Sequence, residues 1–428
     1  MSEPFQETAF RRGTILIDQG RYKEAVQAFK DQLSQAPTND YLLYFLAVAQ
    51  YHLDDQRKQS LQTIDEALKH ENQEPAYYQL KSLILSGLKK HKLALDTVDE
   101  ALRLNPQYPD AHAAKAYIFS MLEKWNDAEK SARDALSFDA DNRFAGNVLA
   151  NALRMQNKLD ESVHLASDLL AKDPENSLSH SNAGWVYLNR RDYRKAQIHF
   201  KEALRLDPNF EPARSGMLEV FKAKSPLYRL YLEYGLFMSR QTKGARIWIL
   251  MGIYIAYRSA LKGFLAILNG PWAVVGYLGL IALYGFFFWT WLSRGIGNLL
   301  ILCDPFARYS LKKTEKLDGI FTGGGFFAGI SFILIGIAFK ALVMTTIGIA
   351  LIMATIPFSS TFTNDHKAGR IVYGAIGIFI LSVGMIRGAE SFFYGKEMSA
   401  LLETASGLSL ILFIASSWLG AFGFLKDY

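Results

Sequence analysis

The residues best suited to chemistry in this 428-residue chain are ionisable groups in apolar surroundings. Arg258 and Lys262 lie one helical turn apart inside an otherwise apolar stretch, and Lys340, Arg387 and Glu390 lie within or beside later ones. A charge at the centre of a membrane span costs about 2.5–3.5 kcal/mol on insertion scales, so such residues must face protein, water or headgroups, and each is by default a functional-site candidate. The structural alternative is that Glu390 neutralises Lys262 near the outer surface while Arg387 and Lys340 snorkel; it is the preferred expectation. Elsewhere no catalytic constellation forms. Seven of the eight histidines are scattered through the first half without metal-ligand spacing, and His366, beside Asp365 in "TNDHKAGR", reads as part of a polar loop. The single cysteine, Cys303, stands before Asp304-Pro305 with no histidine near it in sequence, so no internal disulfide forms and folding does not depend on an oxidising compartment. "TGGGFFAG" lacks the Lys-Ser/Thr of a phosphate-binding loop. The expectation is therefore no catalytic residue, no cofactor and no metal.

The elements that position these residues change character within "MSRQTKGARIWILMGIYIAY", Met238 to Tyr257. Residues 1–246 carry 34 Lys/Arg and 33 Asp/Glu, whereas the rest carries 13 and 8. The basic excess thus sits in loops between apolar segments, which fits the positive-inside bias of membrane proteins and argues against a nucleic-acid surface. A span needs roughly 20 mostly apolar residues. Six candidates lie near 247–268, 272–292, 319–339, 341–358, 371–389 and 405–425. The third and fourth are separated by Lys340 alone, as either a tight hairpin or an interrupted helix. If the first, with Arg258 and Lys262, only lies in the interface, the count is five. Basic residues before the first span, in the loop holding Arg294, Arg308, Lys312, Lys313 and Lys316, and at Lys367 and Arg370 all fall on one side with six spans, and that side is expected to be the cytoplasm. Gly325/Gly329 and Gly384/Gly388 have the spacing that lets helices approach closely. The opening "MSEPFQETAFRRG" has no apolar stretch or cleavage site, so no signal peptide is expected.

The polar half is periodic. "AGWVYLNRRDYRKAQIHFKEALRLDP" places Gly184, Tyr187, Tyr193, Ala196, Phe200, Ala203 and Pro208 at intervals matched earlier by Gly20, Tyr22, Ala25, Phe29 and Pro37. One small-residue position recurs at Ala25, Ser60, Ala94, Ala128, Ser162 and Ala196, with intervals of 35, 34, 34, 34 and 34. This pattern resembles the tetratricopeptide repeat, a helix–turn–helix of about 34 residues. Small side chains let the two helices of a unit cross closely, the aromatic four residues later fills the gap, and proline ends the second helix. One unit cannot bury its apolar face, so units must stack into a solenoid with a concave groove. "FEPARSGMLEVFKAK" supplies a further, capping helix.

If that resemblance holds, first-helix residues facing the groove include Phe45, Tyr117, Asn147, Asn151, Arg154, Ser181 and Asn182. The Lys/Asn/Arg set with which chaperone-binding members grip a C-terminal carboxylate is missing, so that ligand is not expected; the asparagines are instead suited to the backbone of an extended peptide. Between array and first span, Ser225-Pro226 starts a helix on which Arg229, Glu233 and Arg240 share one side. Two placements fit it, the membrane–water interface or a last solenoid helix. The expected architecture is all-α: a solenoid of about six repeats plus a cap in residues 1–224, an amphipathic junction at 225–245, and a polytopic helical membrane domain at 246–428. The chain also resembles bacterial inner-membrane proteins that join a cytoplasmic tetratricopeptide array to a multi-span domain. That resemblance implies a membrane-anchored adaptor binding a protein or extended peptide, with membrane lipids and a membrane-protein partner or a second copy as further partners. The alternative is a transporter, channel or intramembrane enzyme regulated by its repeats, with Arg258, Lys262 and Glu390 as the functional charges.

Overall fold

The computed structural model describes residues 3–241, 243–267, 273–304, 307–364, 366–393 and 400–419, and all regular structure among them is helical. The chain divides into two compact units, Met1–Ala213 and Arg214–Tyr428, the division falling inside the helix Glu211–Lys222.

The first unit is six antiparallel helix pairs: α1 (Glu3–Asp18) with α2 (Tyr22–Leu33), α3 (Asp40–Tyr51) with α4 (Arg57–His70), α5 (Pro75–Gly87) with α6 (His91–Leu104), α7 (Pro109–Met121) with α8 (Trp125–Phe138), α9 (Arg143–Met155) with α10 (Leu159–Lys172), and α11 (Ser177–Asn189) with α12 (Tyr193–Leu206). Local signals set the boundaries. The side chains of Asn39, Asn142 and Asn176 accept from the backbone N–H groups of Leu42, Ala145 and Ser179, and Pro75 and Pro109 open α5 and α7. All six recurring small residues, from Ala25 to Ala196, are fully buried at the helix crossings. There the Ser60 and Ser162 hydroxyls donate to the carbonyls of Ala47 and Ala150. Phe29 and Phe200 are likewise fully buried; a Cβ added at Gly184 would come within 2.6 Å of the Phe200 ring, so the glycine makes room for it.

The turn within a unit uses one left-handed residue: Gly20, then Lys89, Glu123, Asn157 and Arg191, again 34 apart from Lys89 onward. The second helix pair, α3 with α4, departs. It carries the 3-10 turn Asp54–Gln56 at this place, and the extra residue behind the 35-residue interval lies here.

The second unit contains α13 (Glu211–Lys222) from Arg214 on, α14 (Pro226–Arg240), α15 (Lys243–Ile267), α16 (Ala273–Leu302), α17 (Lys313–Asp318), a π turn (Gly319–Gly324), α18 (Gly325–Ala338), α19 (Leu342–Thr363), α20 (Lys367–Phe393) and α21 (Ala400–Leu419). Among the described residues three helical segments are long and apolar enough to cross a membrane: Lys313–Ala338, Leu342–Thr363 and Lys367–Phe393. They cover the third, fourth and fifth expected spans. The first, second and sixth fall on α15, α16 and α21, with residues 268–272 and 420–428 outside the described residues.

The third and fourth candidate segments form a tight hairpin. Lys340 adopts φ of +54° and the N–H of Ala341 donates to the Gly336 carbonyl, closing α18 in the manner of a left-handed C-cap. Backbones then meet directly: a Cβ at Gly348 would lie 2.6 Å from the Gly329 carbonyl oxygen. Leu334, Ile337, Phe339, Ile378, Met385 and Ile386 are left exposed on the outside of this bundle.

Arg214 anchors α13. Its guanidinium meets Glu315 at 2.9 and 3.0 Å and also donates to the Ser310 carbonyl, while Glu315 accepts from the N–H of Lys312. Beside it Leu218 packs with Ile301 and Leu311. Arg214→Ala should lower the stability of the second unit by about 1.5–3 kcal/mol, the range for hydrogen bonds to charged groups, because it strands a half-buried carboxylate. Denaturant titration in detergent measures this.

Candidate functional site

First helices of neighbouring pairs adjoin along one wall of the first unit, from α5 to α7, α9 and α11. The shared bond of Ser60 to Ala47 and of Ser162 to Ala150 fixes their register, 13 residues apart in one case and 12 in the other. Counting through the extra residue, one stripe along the wall is Tyr44, Gln79, Ala113, Asn147 and Ser181, and the next is Val48, Leu83, Tyr117, Asn151 and Trp185. Phe45 therefore stands one step round the helix from the stripe that a strict 34-residue count gives it. It packs on Phe10, Phe29 and Tyr41, with ring centroids 4.9–5.9 Å apart.

The remaining expected groove residues fall into two groups. Asn147 and Ser181 are buried. The Asn147 amide donates to the Arg143 carbonyl and the Ser179 hydroxyl, and its side-chain oxygen accepts from Asn182 at 2.8 Å. Asn147 and Asn182 thus link α9 to α11. Tyr117, Asn151 and Arg154 are half-buried and reachable. Arg154 donates to Asn151 at 2.6 Å, and its guanidinium lies 5.8 Å from the Trp185 ring. Trp185 was not singled out from sequence, though it stands 34 residues after Asn151. Its indole N–H donates to the Pro212 carbonyl, which holds the ring upright on Phe200.

Nearer the N-terminus the wall is phenolic. Burial first, then Asp110, Tyr41 and Glu74, push the Tyr44 hydroxyl up to about 12. Burial and the neighbouring Tyr117 do the same at Tyr51. These groups are neutral hydrogen-bonding partners at any physiological pH. Arg57 sits beside them, with Gly87 leaving 3.6 Å between its Cβ direction and the Arg57 chain.

Two imidazoles stacked on tyrosine rings, His52 on Tyr22 and the half-buried His199 on Tyr187, make this unit sensitive to acid. Burial, then Arg57, holds His52 below its ordinary value, and burial, His180 and Lys195 do so for His199. The unfolded chain takes up these protons more readily, so stability should fall as pH drops below about 6.5 and level off beneath the folded-state values. The melting temperature at pH 5.5 should lie below that at pH 7.5, by less in His52→Gln and His199→Asn.

Of the charges expected within spans, Arg258 and Lys262 are exposed on α15, Arg387 is exposed on α20, and Glu390 is partly covered. Asp365 lies outside the described residues. Among the described residues the candidate spanning segment Lys313–Ala338 holds a buried carboxylate, Asp318, which the sequence reading places in the basic loop before the third segment. It is 1% exposed, accepting from Asn298 of α16 at 2.9 Å and from Thr322 of the π turn at 2.8 Å. Nearby, Lys222 is buried along Gly297, pairs with Glu219 at 3.3 Å and covers Tyr228. Tyr228 donates to Glu219, and burial with that carboxylate raises its phenol well above the ordinary value. On α14 it is Tyr228 and Leu232 that are buried, while Leu230 and Phe237 are exposed.

The tetratricopeptide repeat family matches the sequence at residues 16–84, 75–108 and 177–210. Tetratricopeptide repeats thus make up part of the first unit. No protein of curated function matches this chain. Solved structures that resemble it include a tetratricopeptide repeat protein from Parabacteroides merdae (16% identity, 57% of this chain and 97% of that one, TM-score 0.40). Others are a protein from Thermus thermophilus (18%, 50% and 98%, TM-score 0.34) and pilF of Pseudomonas aeruginosa (16%, 51% and 97%, TM-score 0.39).

Proposed function

We propose that this protein is a membrane-anchored adaptor whose tetratricopeptide groove binds an extended segment of a protein partner. The observation that carries the reading is the wall of first helices, where Tyr117, Asn151, Arg154 and Trp185 stay reachable while the small and aromatic repeat residues are consumed by packing. The Asn151 amide, with the Arg154 guanidinium one turn on, suits the carbonyls of an extended chain, and the rings of Tyr117 and Trp185, one repeat to either side, supply apolar area at low entropic cost. The second unit holds the array at a bacterial inner membrane, residues 1–224 on the cytoplasmic side, because the basic loops fall on that side when six segments cross. Residues 225–245 form the junction, and residues 246–428 the membrane domain. Six segments exceed what an anchor needs, so the membrane domain docks on another membrane protein or on a second copy. A photocrosslinking residue at Tyr117 or Asn151 tests the groove against one at Ile198, which is exposed on α12. A partner crosslinked from the groove positions and not from Ile198 supports the adaptor; equal labelling from all three counts against it.

A second reading, a transporter or channel controlled by the repeats, is favoured by the buried Asp318–Asn298–Thr322 set at a π turn, a local form that recurs at functional sites. Solute or ion flux in proteoliposomes, lost in a folded Asp318→Asn variant, is the result that reading requires. Arg258, Lys262 and Glu390 serve as comparison positions.

A further inference from the structure

The last helix pair carries two imidazoles that groove binding leaves unused. His180 on α11 and His199 on α12 face each other, Nδ1 to Nδ1, at 3.2 Å. The Nε2 of His180 lies 3.0 Å from the Pro174 carbonyl oxygen, which can only accept. That nitrogen therefore carries the hydrogen, and the Nδ1 of the neutral ring is left as a lone pair directed at His199. The His199 ring is fixed by stacking on Tyr187, with planes 4° apart and centroids 5.3 Å apart. Two units earlier, His112 makes the same bond, Nε2 to the Pro106 carbonyl at 2.9 Å, but its ring faces Phe138. The proline contact is thus a repeat feature, and the second imidazole belongs to the last pair.

We propose that His180 and His199 bind a divalent transition metal of the Zn2+ class, joining the two helices of the last repeat. Two nitrogens held about 2.0–2.1 Å from a tetrahedral ion stand about 3.3 Å apart, close to the separation present. The carbonyl on the far nitrogen of His180 is the outer-shell brace that metal-bound imidazoles commonly have. An ordinary imidazole is largely neutral, the metal-binding form, near pH 7. Glu202, one turn after His199, lies within electrostatic reach of His180 and is paired with Arg205 at 2.7 Å. Among the described residues no group of three ligands is already assembled. Glu202 and a water, or two waters, then complete the four-coordinate shell. Imidazole ligands select Zn2+, Ni2+ or Cu2+ over Mg2+ and Ca2+, which take oxygen.

The test is calorimetric titration of the tag-free full-length protein in detergent with ZnCl2, with MgCl2 as control, alongside thermal melts. One Zn2+ should bind per chain and raise the melting temperature, with no response to Mg2+. His180→Ala and His199→Ala should each weaken binding by more than the roughly 10–100-fold typical of losing only an outer-shell partner. His112→Ala should leave it unchanged. His180→Gln and His199→Asn, checked by circular dichroism, separate ligand loss from misfolding. Zn2+ affinity retained in either folded His180 or His199 variant, or no binding by the unaltered protein, overturns the proposal.

Discussion

Gly348→Leu should prevent α18 and α19 from closing as a hairpin and leave little monodisperse protein in detergent. The contact involves main chain on both sides. A Cβ at Gly348 would stand 2.6 Å from the Gly329 carbonyl oxygen, and one at Gly329 would stand 2.8 Å from that of Gly348. Overpacking a core costs about 1–3 kcal/mol when neighbouring side chains can yield. Here two helix backbones must separate, so the cost should exceed that range. Gly325 is the internal control. It belongs to the same four-residue spacing, yet the nearest atom to its Cβ direction is Thr355 Cγ2 at 3.7 Å. Gly325→Ala should be tolerated, and equal damage from both substitutions would mean the hairpin is not packed through Gly329 and Gly348. Size-exclusion profiles and thermal midpoints report both.

Phe200→Ala should cost about 3–5 kcal/mol, the usual range for emptying a fully buried aromatic site. Its ring lies against Gly184 and edge-on to Trp185, 5.6 Å between centroids, so the damage should reach the groove residue as well as the core. Repeats contact mainly their neighbours, so the loss should stay near the end of the array. Hydrogen exchange should quicken in α11 and α12 and remain slow in α3 to α6. Uniform quickening would show that the six pairs unfold as one block.

The repeat was legible because its packing rule is local and periodic. Ala25, Ser60, Ala94, Ala128, Ser162 and Ala196 report the helix crossings at fixed intervals, and every one is buried. The extra residue near Asp54–Gln56 was visible as a 35-residue interval, but its side was not; only the hydroxyl of Ser60 on Ala47 shows that Tyr44, not Phe45, continues the stripe. Left-handed turns at Lys89, Glu123, Asn157 and Arg191 carried no glycine to mark them. Asn147 and Ser181 read as groove residues because position alone cannot tell a lining residue from one turned into the next pair. Asp318 was hidden for a different reason. It lies next to a run of lysines, and its burial depends on Asn298, 20 residues away in sequence. Likewise His180 and His199 are 19 residues apart, on two helices whose crossing brings the rings together.

The central claim is that the wall bearing Tyr117, Asn151 and Trp185 holds a protein partner. Crosslinked purification of the full-length protein from native membranes, beside a variant with Tyr117, Asn151 and Trp185 all changed to alanine, tests it most directly. These three are preferred to Asn147 and Asn182, which bond to each other between helices. A stoichiometric partner recovered with the unaltered protein and lost from a folded variant is the predicted result. The same partner recovered in equal amount with both, or the protein recovered alone with both, would contradict it.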